Sequence, residues 1–145
     1  MTRKLFFLLG TALLLISSGA SSLNAQQNSS QKQAKPFLIQ GKLPHLTMMV
    51  KMLWNDEDLA LTPEQKKKLL LIRKETVSGA KALGKQIFAL ENKIVKASNS
   101  GVEPSKLKAD VSTLADLRAQ ATMLHLECIY KTRKVLTTDQ LDILE

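Results

Sequence analysis

Aromatic residues are scarce in this chain of 145 residues, at 4%, and residues that disturb helices are few, with six glycines and four prolines. So few rings exclude a large globular core built on aromatic packing. The glycines and prolines stand mostly between long segments in which apolar residues recur every three or four positions. This composition is typical of a helical protein made of long amphipathic segments.

The chain also lacks the residue constellations of common enzymes. Its histidines are His45 and His125, and its single cysteine is Cys128. It has no paired-histidine zinc motif, no glycine-rich phosphate loop and no G-x-S-x-G turn. We therefore expect no enzymatic activity and no use of ATP. The formal net charge is +8, but stacking aromatics are not interleaved with the basic residues, which disfavours nucleic acid as a partner.

No apolar run is long enough to cross a bilayer, which takes about 20 residues. The run over residues 5–16 follows Arg3 and Lys4 and is succeeded by small residues up to Ala25. This pattern predicts a secretory signal peptide over residues 1–25, and an exported protein with no membrane span after cleavage. Residues 26–42 are rich in Gln, Ser and Lys and are predicted to form a disordered arm. A helical domain is predicted over residues 43–145.

The spacing of apolar residues predicts four helices, over residues 43–54, 63–96, 104–135 and 138–145. The break at 97–101 predicts that the two long helices form an antiparallel hairpin. Gly79 and Gly84 in the first long helix mark a bend or a close backbone contact. The inner stripe of that helix is predicted as Leu69, Ile72, Thr76, Ala80, Leu83, Ile87, Leu90 and Ile94. The inner stripe of the second is predicted as Leu107, Val111, Leu114, Leu117, Ala121, Leu124, Cys128 and Val135.

Further apolar residues lie beside these inner stripes, and a hairpin alone leaves them uncovered. They are Leu70, Val77 and Phe88 on the first long helix and Met123, Leu126 and Tyr130 on the second. A second copy of the chain is the simplest cover, which predicts a twofold homodimer.

Two similar boxes precede the second and the last helix. They are Leu61-Thr62-Pro63-Glu64-Gln65 and Leu136-Thr137-Thr138-Asp139-Gln140, and both have the form L-T-x-x-Q. In each, the threonine can cap the helix while the glutamine reaches back to the threonine N–H. We expect the boxes to cap helices and to fix the ends of the hairpin.

Through Leu61, Thr62 and Gln65 and through Leu136, Thr137 and Gln140, the chain resembles the LTxxQ-motif periplasmic proteins, the Spy/CpxP-like family. The resemblance covers the chain from about residue 43 to the end. It implies a cradle-shaped, all-α homodimer in the periplasm with a basic concave face. The activity it implies is that of an ATP-independent stress-response chaperone, which binds unfolded or partly folded client proteins and limits their aggregation. The alternatives are a regulator of an envelope-stress sensor kinase and a metal-binding resistance protein.

Candidate client-binding residues combine positive charge with apolar surface. They are Met48, Met49, Met52, Lys66, Arg73, Lys81, Lys85 and Phe88. On the first helix His45, Met48, Met49 and Met52 follow the spacing of one face, since residues three and four apart are neighbours on a helix. That face is interpreted as a soft apolar surface that packs on the long helices or is offered to clients.

The metal alternative takes some of the same residues as ligands. A soft ion such as Cu(I), the one cofactor considered, would be held by His45, Met49, His125 and Cys128. The metal-binding relatives of the family use a second histidine where this chain has Met49, which argues against a site for nickel, cobalt or zinc. Cys128 falls on an inner stripe and is expected to be buried.

Overall fold

The computed structural model describes residues 36–39 and 41–144. Its regular structure there is all helical, as predicted, with two long helices and two short ones. The helices are α1 (Leu46–Met52), α2 (Pro63–Asn99), α3 (Pro104–Val135) and α4 (Thr138–Leu144). The predicted signal peptide and most of the predicted arm lie outside the described residues. None of the described helices is both long enough and apolar enough to cross a membrane.

The ends of the long helices follow from local sequence. Thr62 caps α2, and Pro63 occupies its first turn, where a missing N–H costs nothing. Helix α2 runs three residues beyond the predicted end at Lys96, and the chain then turns at Gly101, whose φ is +76°. Pro104 begins α3 at the predicted position. With 37 residues, α2 is about 55 Å long at 1.5 Å per residue.

Helices α2 and α3 pack along their length. Near the end of α2, Lys93 Nζ lies 2.8 Å from Asp110 Oδ1 near the start of α3. At the other end, Gln65 Nε2 donates to the Val135 carbonyl oxygen at 3.0 Å. Between them, a Cβ added to Gly79 would lie 2.8 Å from Leu124 Cδ2. Gly79 therefore marks a close backbone contact, whereas nothing lies within 4 Å of a Cβ added to Gly84.

The buried row of α3 differs from the predicted inner stripe at Val111, and it also includes Thr122, His125 and Thr132. Val111 is 51% exposed, so its assignment to the inner stripe is wrong. The row passes instead through Asp110, which is half-buried and paired with Lys93. Positions 107, 110 and 114 keep the helical spacing as well as 107, 111 and 114 do, and the ion pair decides between them. Cys128 is buried, as expected.

The apolar core lies where the ends of all four helices meet. It comprises Val50, Leu59, Leu61, Leu69, Leu136 and Leu144, with Met49, Leu53, Trp54, Val135 and Leu141 packed against it. The leucine of each LTxxQ box, Leu61 and Leu136, belongs to this cluster. The boxes therefore anchor the core as well as the helix ends.

Helix α1 is shorter than predicted and is rotated relative to the predicted face. It begins at Leu46, with His45 as its N-cap, and it buries Leu46 and Val50. Met49 packs on the core, while Met48 and Met52 are 47% and 75% exposed. On the predicted face Met48 and Met52 are thus exposed, whereas Met49 is half-buried at the edge that packs on the core. The same spacing at positions 46, 49, 50 and 53 places two leucines and a valine inward, which buries more apolar surface.

The end of the predicted disordered arm contacts α3. The Leu38 N–H donates to Thr122 Oγ1 at 2.8 Å, and the Phe37 ring lies 5.0 Å from the ring of His125. The run Phe37-Leu38-Ile39 is apolar, in contrast with the polar residues before it. This apolar run indicates a segment that can pack on the helices, and the prediction of a disordered arm over residues 26–42 did not use it.

Candidate functional site

The two LTxxQ boxes form one hydrogen-bonded unit, which we call the glutamine clasp. Within each box the threonine and the glutamine bond reciprocally. Gln65 N–H donates to Thr62 Oγ1 at 3.2 Å, and Thr62 N–H donates to Gln65 Oε1 at 3.0 Å. The second box repeats this with Gln140 and Thr137, at 3.2 Å and 3.1 Å.

The clasp also joins the two boxes to each other. Gln65 Nε2 donates to Gln140 Oε1 at 2.7 Å, and Gln140 Nε2 lies 3.2 Å from Gln65 Oε1. Each amide uses its remaining donor on a backbone carbonyl next to the other box, Val135 for Gln65 and Leu59 for Gln140. Both glutamines thus make close to the full set of bonds open to a side-chain amide. Gln140 is buried, so the clasp is a structural joint rather than a surface for partners.

The conformation of the loop before α2 places the Leu59 carbonyl within hydrogen-bonding distance of Gln140. Asp56 Oδ1 accepts from the N–H groups of Asp58 and Leu59 at 3.1 Å and 2.9 Å. Ala60 then adopts φ 41°, a left-handed conformation that is unusual for a residue with a side chain. The Leu59 carbonyl accepts from Gln140 across this turn.

A mixed basic and apolar row follows the exposed side of α2, and we call it the α2 stripe. Its members share one helical arc, centred roughly 120° around α2 from the row that faces α3. They are Lys66, Leu70, Arg73, Val77, Lys81, Phe88 and Val95. Leu70, Val77, Phe88 and Val95 are each at least 41% exposed. Within the described residues, no member of the stripe is in an ion pair.

Four of the candidate client-binding residues belong to the α2 stripe, namely Lys66, Arg73, Lys81 and Phe88. Lys85 is exposed beside it on the same helix. Met48 and Met52 are exposed on α1 and are available for contact with a client. Met49 packs on the core and is therefore poorly placed for such a contact.

An apolar groove lies on the opposite flank of the α2–α3 pair. It has a volume of about 760 Å³ and is lined by Gly79, Ala82, Leu83, Gln86, Gln120, Met123, Leu124, Leu126, Glu127 and Tyr130. Met123 and Tyr130 are 62% and 63% exposed. Its one charged residue, Glu127, is paired with Lys131 at 2.9 Å. The groove is thus nearly neutral, in contrast with the α2 stripe.

The two histidines stack on each other at the junction of α1 and α3. Their ring centroids are 4.7 Å apart with an interplanar angle of 18°. His125 is buried, and its Nδ1 has no hydrogen-bond partner. Burial lowers the pKa of His125 below 6.5, and the charge of His45 lowers this pKa further. A hydrogen bond with the Pro44 backbone acts in the opposite direction and raises it.

This arrangement brings His45, His125 and Cys128 to the junction of α1 and α3, but it does not direct the two imidazoles at one point. Imidazole lone pairs lie in the plane of the ring, so two nearly parallel rings do not direct them at one point. Met49 packs on the core, and the Cys128 thiol lies 3.9 Å from Thr47 Oγ1. In the described part of the chain, no group of three His, Cys, Asp or Glu side chains is placed to hold a metal ion.

Comparisons with known proteins identify no relative: no family model, characterised protein or solved structure matches the chain. The resemblance to the LTxxQ-motif family therefore rests on the two boxes themselves.

Proposed function

We propose that this protein is an ATP-independent holdase chaperone that binds unfolding proteins along the α2 stripe. The observation that supports this most directly is the alternation of exposed apolar side chains with unpaired cations along one side of a long helix. A solvated helix surface does not need Leu70, Val77, Phe88 and Val95 in one row, and an exposed apolar row of this kind is typical of an interaction site.

The mechanism has two steps. The cations of the stripe attract unfolding chains over a distance of about 10 Å at 0.1 M salt, which speeds encounter. Val77 and Phe88 then contact the apolar segments that such chains expose. Because the cations interrupt the apolar row, binding stays weak, and a client that buries its own apolar surface leaves.

We further propose that two copies form a cradle-shaped homodimer of antiparallel hairpins in the periplasm. The apolar groove around Met123 and Tyr130 is the surface best suited to a second copy, since it is large and nearly neutral. Covering it leaves the α2 stripe of each copy in solvent. The periplasmic location rests on the predicted signal peptide and on the family resemblance.

The test measures light scattering from a chemically unfolded client, without ATP and with a chelator present. The double variant Val77→Ser, Phe88→Ser removes apolar contacts from the stripe. We expect it to need several times more protein than the unaltered chain for equal suppression. Suppression by the unaltered chain should weaken at high salt, because exposed charges are then screened.

The matched control is Leu71→Ser. Leu71 is 57% exposed on α2, but it lies roughly 100° around the helix from Leu70 and outside the stripe. It should suppress aggregation as well as the unaltered chain does. Since all three positions are exposed, each substitution should change stability by no more than about 0.5 kcal/mol. Equal loss in the control and the stripe variant, or no suppression by the unaltered chain at any salt concentration, would refute the proposal.

A further inference from the structure

A separate pocket lies between α1 and α2. Its volume is about 310 Å³, and it is lined by Thr47, Val50, Lys51, Trp54, Leu69, Leu70 and Arg73. Small-molecule pockets begin at about 300 Å³, so this one is large enough for a single short chain or ring. It does not coincide with the groove on the other flank of the α2–α3 pair.

The inner wall of the pocket belongs to the apolar core. Val50 and Leu69 are 1% and 2% exposed, and both are members of the core cluster. The half-buried indole of Trp54 and the side chain of Leu70 extend this apolar lining. An apolar ligand group placed here would exchange water for contacts with fixed side chains, which is favourable in proportion to the area buried.

Two cations from different helices line the same pocket. Lys51 lies in the last turn of α1, and Arg73 lies in α2. No acidic residue is among the lining residues, and neither cation is in an ion pair within the described part of the chain. Lys66 adds a third charge nearby, with its Nζ 5.8 Å from the centroid of the Trp54 ring. A concave apolar surface with unpaired cations is complementary to a ligand that has an apolar body and an anionic end.

We propose that this pocket binds small amphipathic carboxylates, such as a medium-chain fatty acid. The acyl chain packs against Val50, Leu69 and Trp54. The carboxylate accepts from Arg73, whose guanidinium fork matches its two oxygens, and pairs with Lys51. Thr47 contributes a hydroxyl to the same lining. The pocket shares Leu70 and Arg73 with the α2 stripe, but binding of a small carboxylate is a separate activity from the proposed holdase function, which needs no small molecule.

Trp54 makes the test direct, because it is the only tryptophan in the chain and it lines the pocket. The unaltered protein is titrated with decanoate below its micelle concentration, and Trp54 emission is recorded. Decyltrimethylammonium, which has the same chain and the opposite charge, is the matched probe. We expect a saturable change with decanoate and at least tenfold weaker binding of the cation.

Variants locate the binding within the pocket. Arg73→Gln should weaken decanoate binding about tenfold or more, as expected for the loss of a charge-assisted hydrogen bond. Lys51→Gln should weaken it as well, whereas Lys74→Gln should not, since Lys74 is exposed next to Arg73 and does not line the pocket. Circular dichroism checks that each variant is folded.

Three results would overturn the assignment. Equal binding of decanoate and decyltrimethylammonium would mean that apolar surface alone is responsible. Unchanged decanoate binding in the double variant Arg73→Gln, Lys51→Gln would place the ligand elsewhere. If a short peptide with a free C-terminal leucine bound more tightly than decanoate, the pocket would be a site for the C-termini of peptide chains instead.

Discussion

Removing Gln140 from the glutamine clasp tests whether the two LTxxQ boxes act as one joint. In Gln140→Ala, three partners lose their bonds: the Leu59 carbonyl, the Gln65 amide and the Thr137 N–H. At about 1 kcal/mol net for each of the three partners, the expected loss is about 3 kcal/mol. Leu59 is fully buried, and a carbonyl left without a partner there adds to the cost.

The assay is chemical denaturation of the full chain, followed by circular dichroism, with thermal melting as a second measure. A loss of about 3 kcal/mol corresponds to a drop in Tm of about 12 °C or more for a domain of this size. Thr62→Ala should cost only about 1 kcal/mol, because it removes one cap and leaves both glutamines. The control is Asn92→Ala, an exposed amide on α2 that lines neither the groove nor the pocket between α1 and α2, with an expected change within about 0.5 kcal/mol.

A double-mutant cycle decides whether the clasp is cooperative. Each of Gln65→Ala and Gln140→Ala alone already breaks the bonds between the two amides. The double variant should therefore lose less stability than the two single losses added together, by about 1 kcal/mol. Additive losses would mean that the boxes act as two independent caps. A Gln140→Ala variant no less stable than Asn92→Ala would refute the reasoning altogether.

Two further predictions concern the α2–α3 contact and the buried histidine. Gly84→Ala should raise the stability by up to about 1 kcal/mol, since alanine favours the helix and nothing opposes its Cβ. Gly79→Ala should gain less or lose stability, because Leu124 has to move; equal gains in denaturation midpoint would contradict the close contact. Since burial lowers the pKa of His125 below 6.5 in the folded protein, the unfolded chain binds the proton first as pH falls. The free energy of unfolding should therefore decrease as pH falls below about 6.5, and His125→Phe should flatten that part of the curve; an identical pH dependence in the variant would exclude His125 as the cause.

The sequence predicts the starts of α2, α3 and α4 because their signals are local. The cap at Thr62, the prolines at 63 and 104 and the glycine at 101 each act within a few residues, and the structure has its long helices between them. Burial of Cys128 could be predicted for a similar reason, because it continues a regular spacing on α3.

What the sequence did not predict depends on residues far apart in the chain. The bonds between Gln65 and Gln140 span 75 positions, and one box alone predicts only its own cap. Val111 and Asp110 fit the helical spacing equally well, and only Lys93 on the other helix distinguishes them. The spacing on α1 also does not say which methionines are covered: Met49 packs on the core while Met48 and Met52 are exposed, and this depends on what the helix packs against.

The difference in charge between the two flanks of the α2–α3 pair bears on whether the proposed dimer and the proposed client binding are compatible. Two α2 stripes brought face to face would oppose Lys66, Arg73 and Lys81 with their like-charged copies, which is unfavourable unless counterions intervene. Two grooves brought together oppose mainly neutral apolar side chains such as Met123. Association through the groove is therefore the arrangement that electrostatics permits, and it leaves the stripe accessible. The clasp supports both surfaces, because it ties the start of α2 to the end of α3 and so helps to keep the stripe and the groove on opposite flanks of the pair.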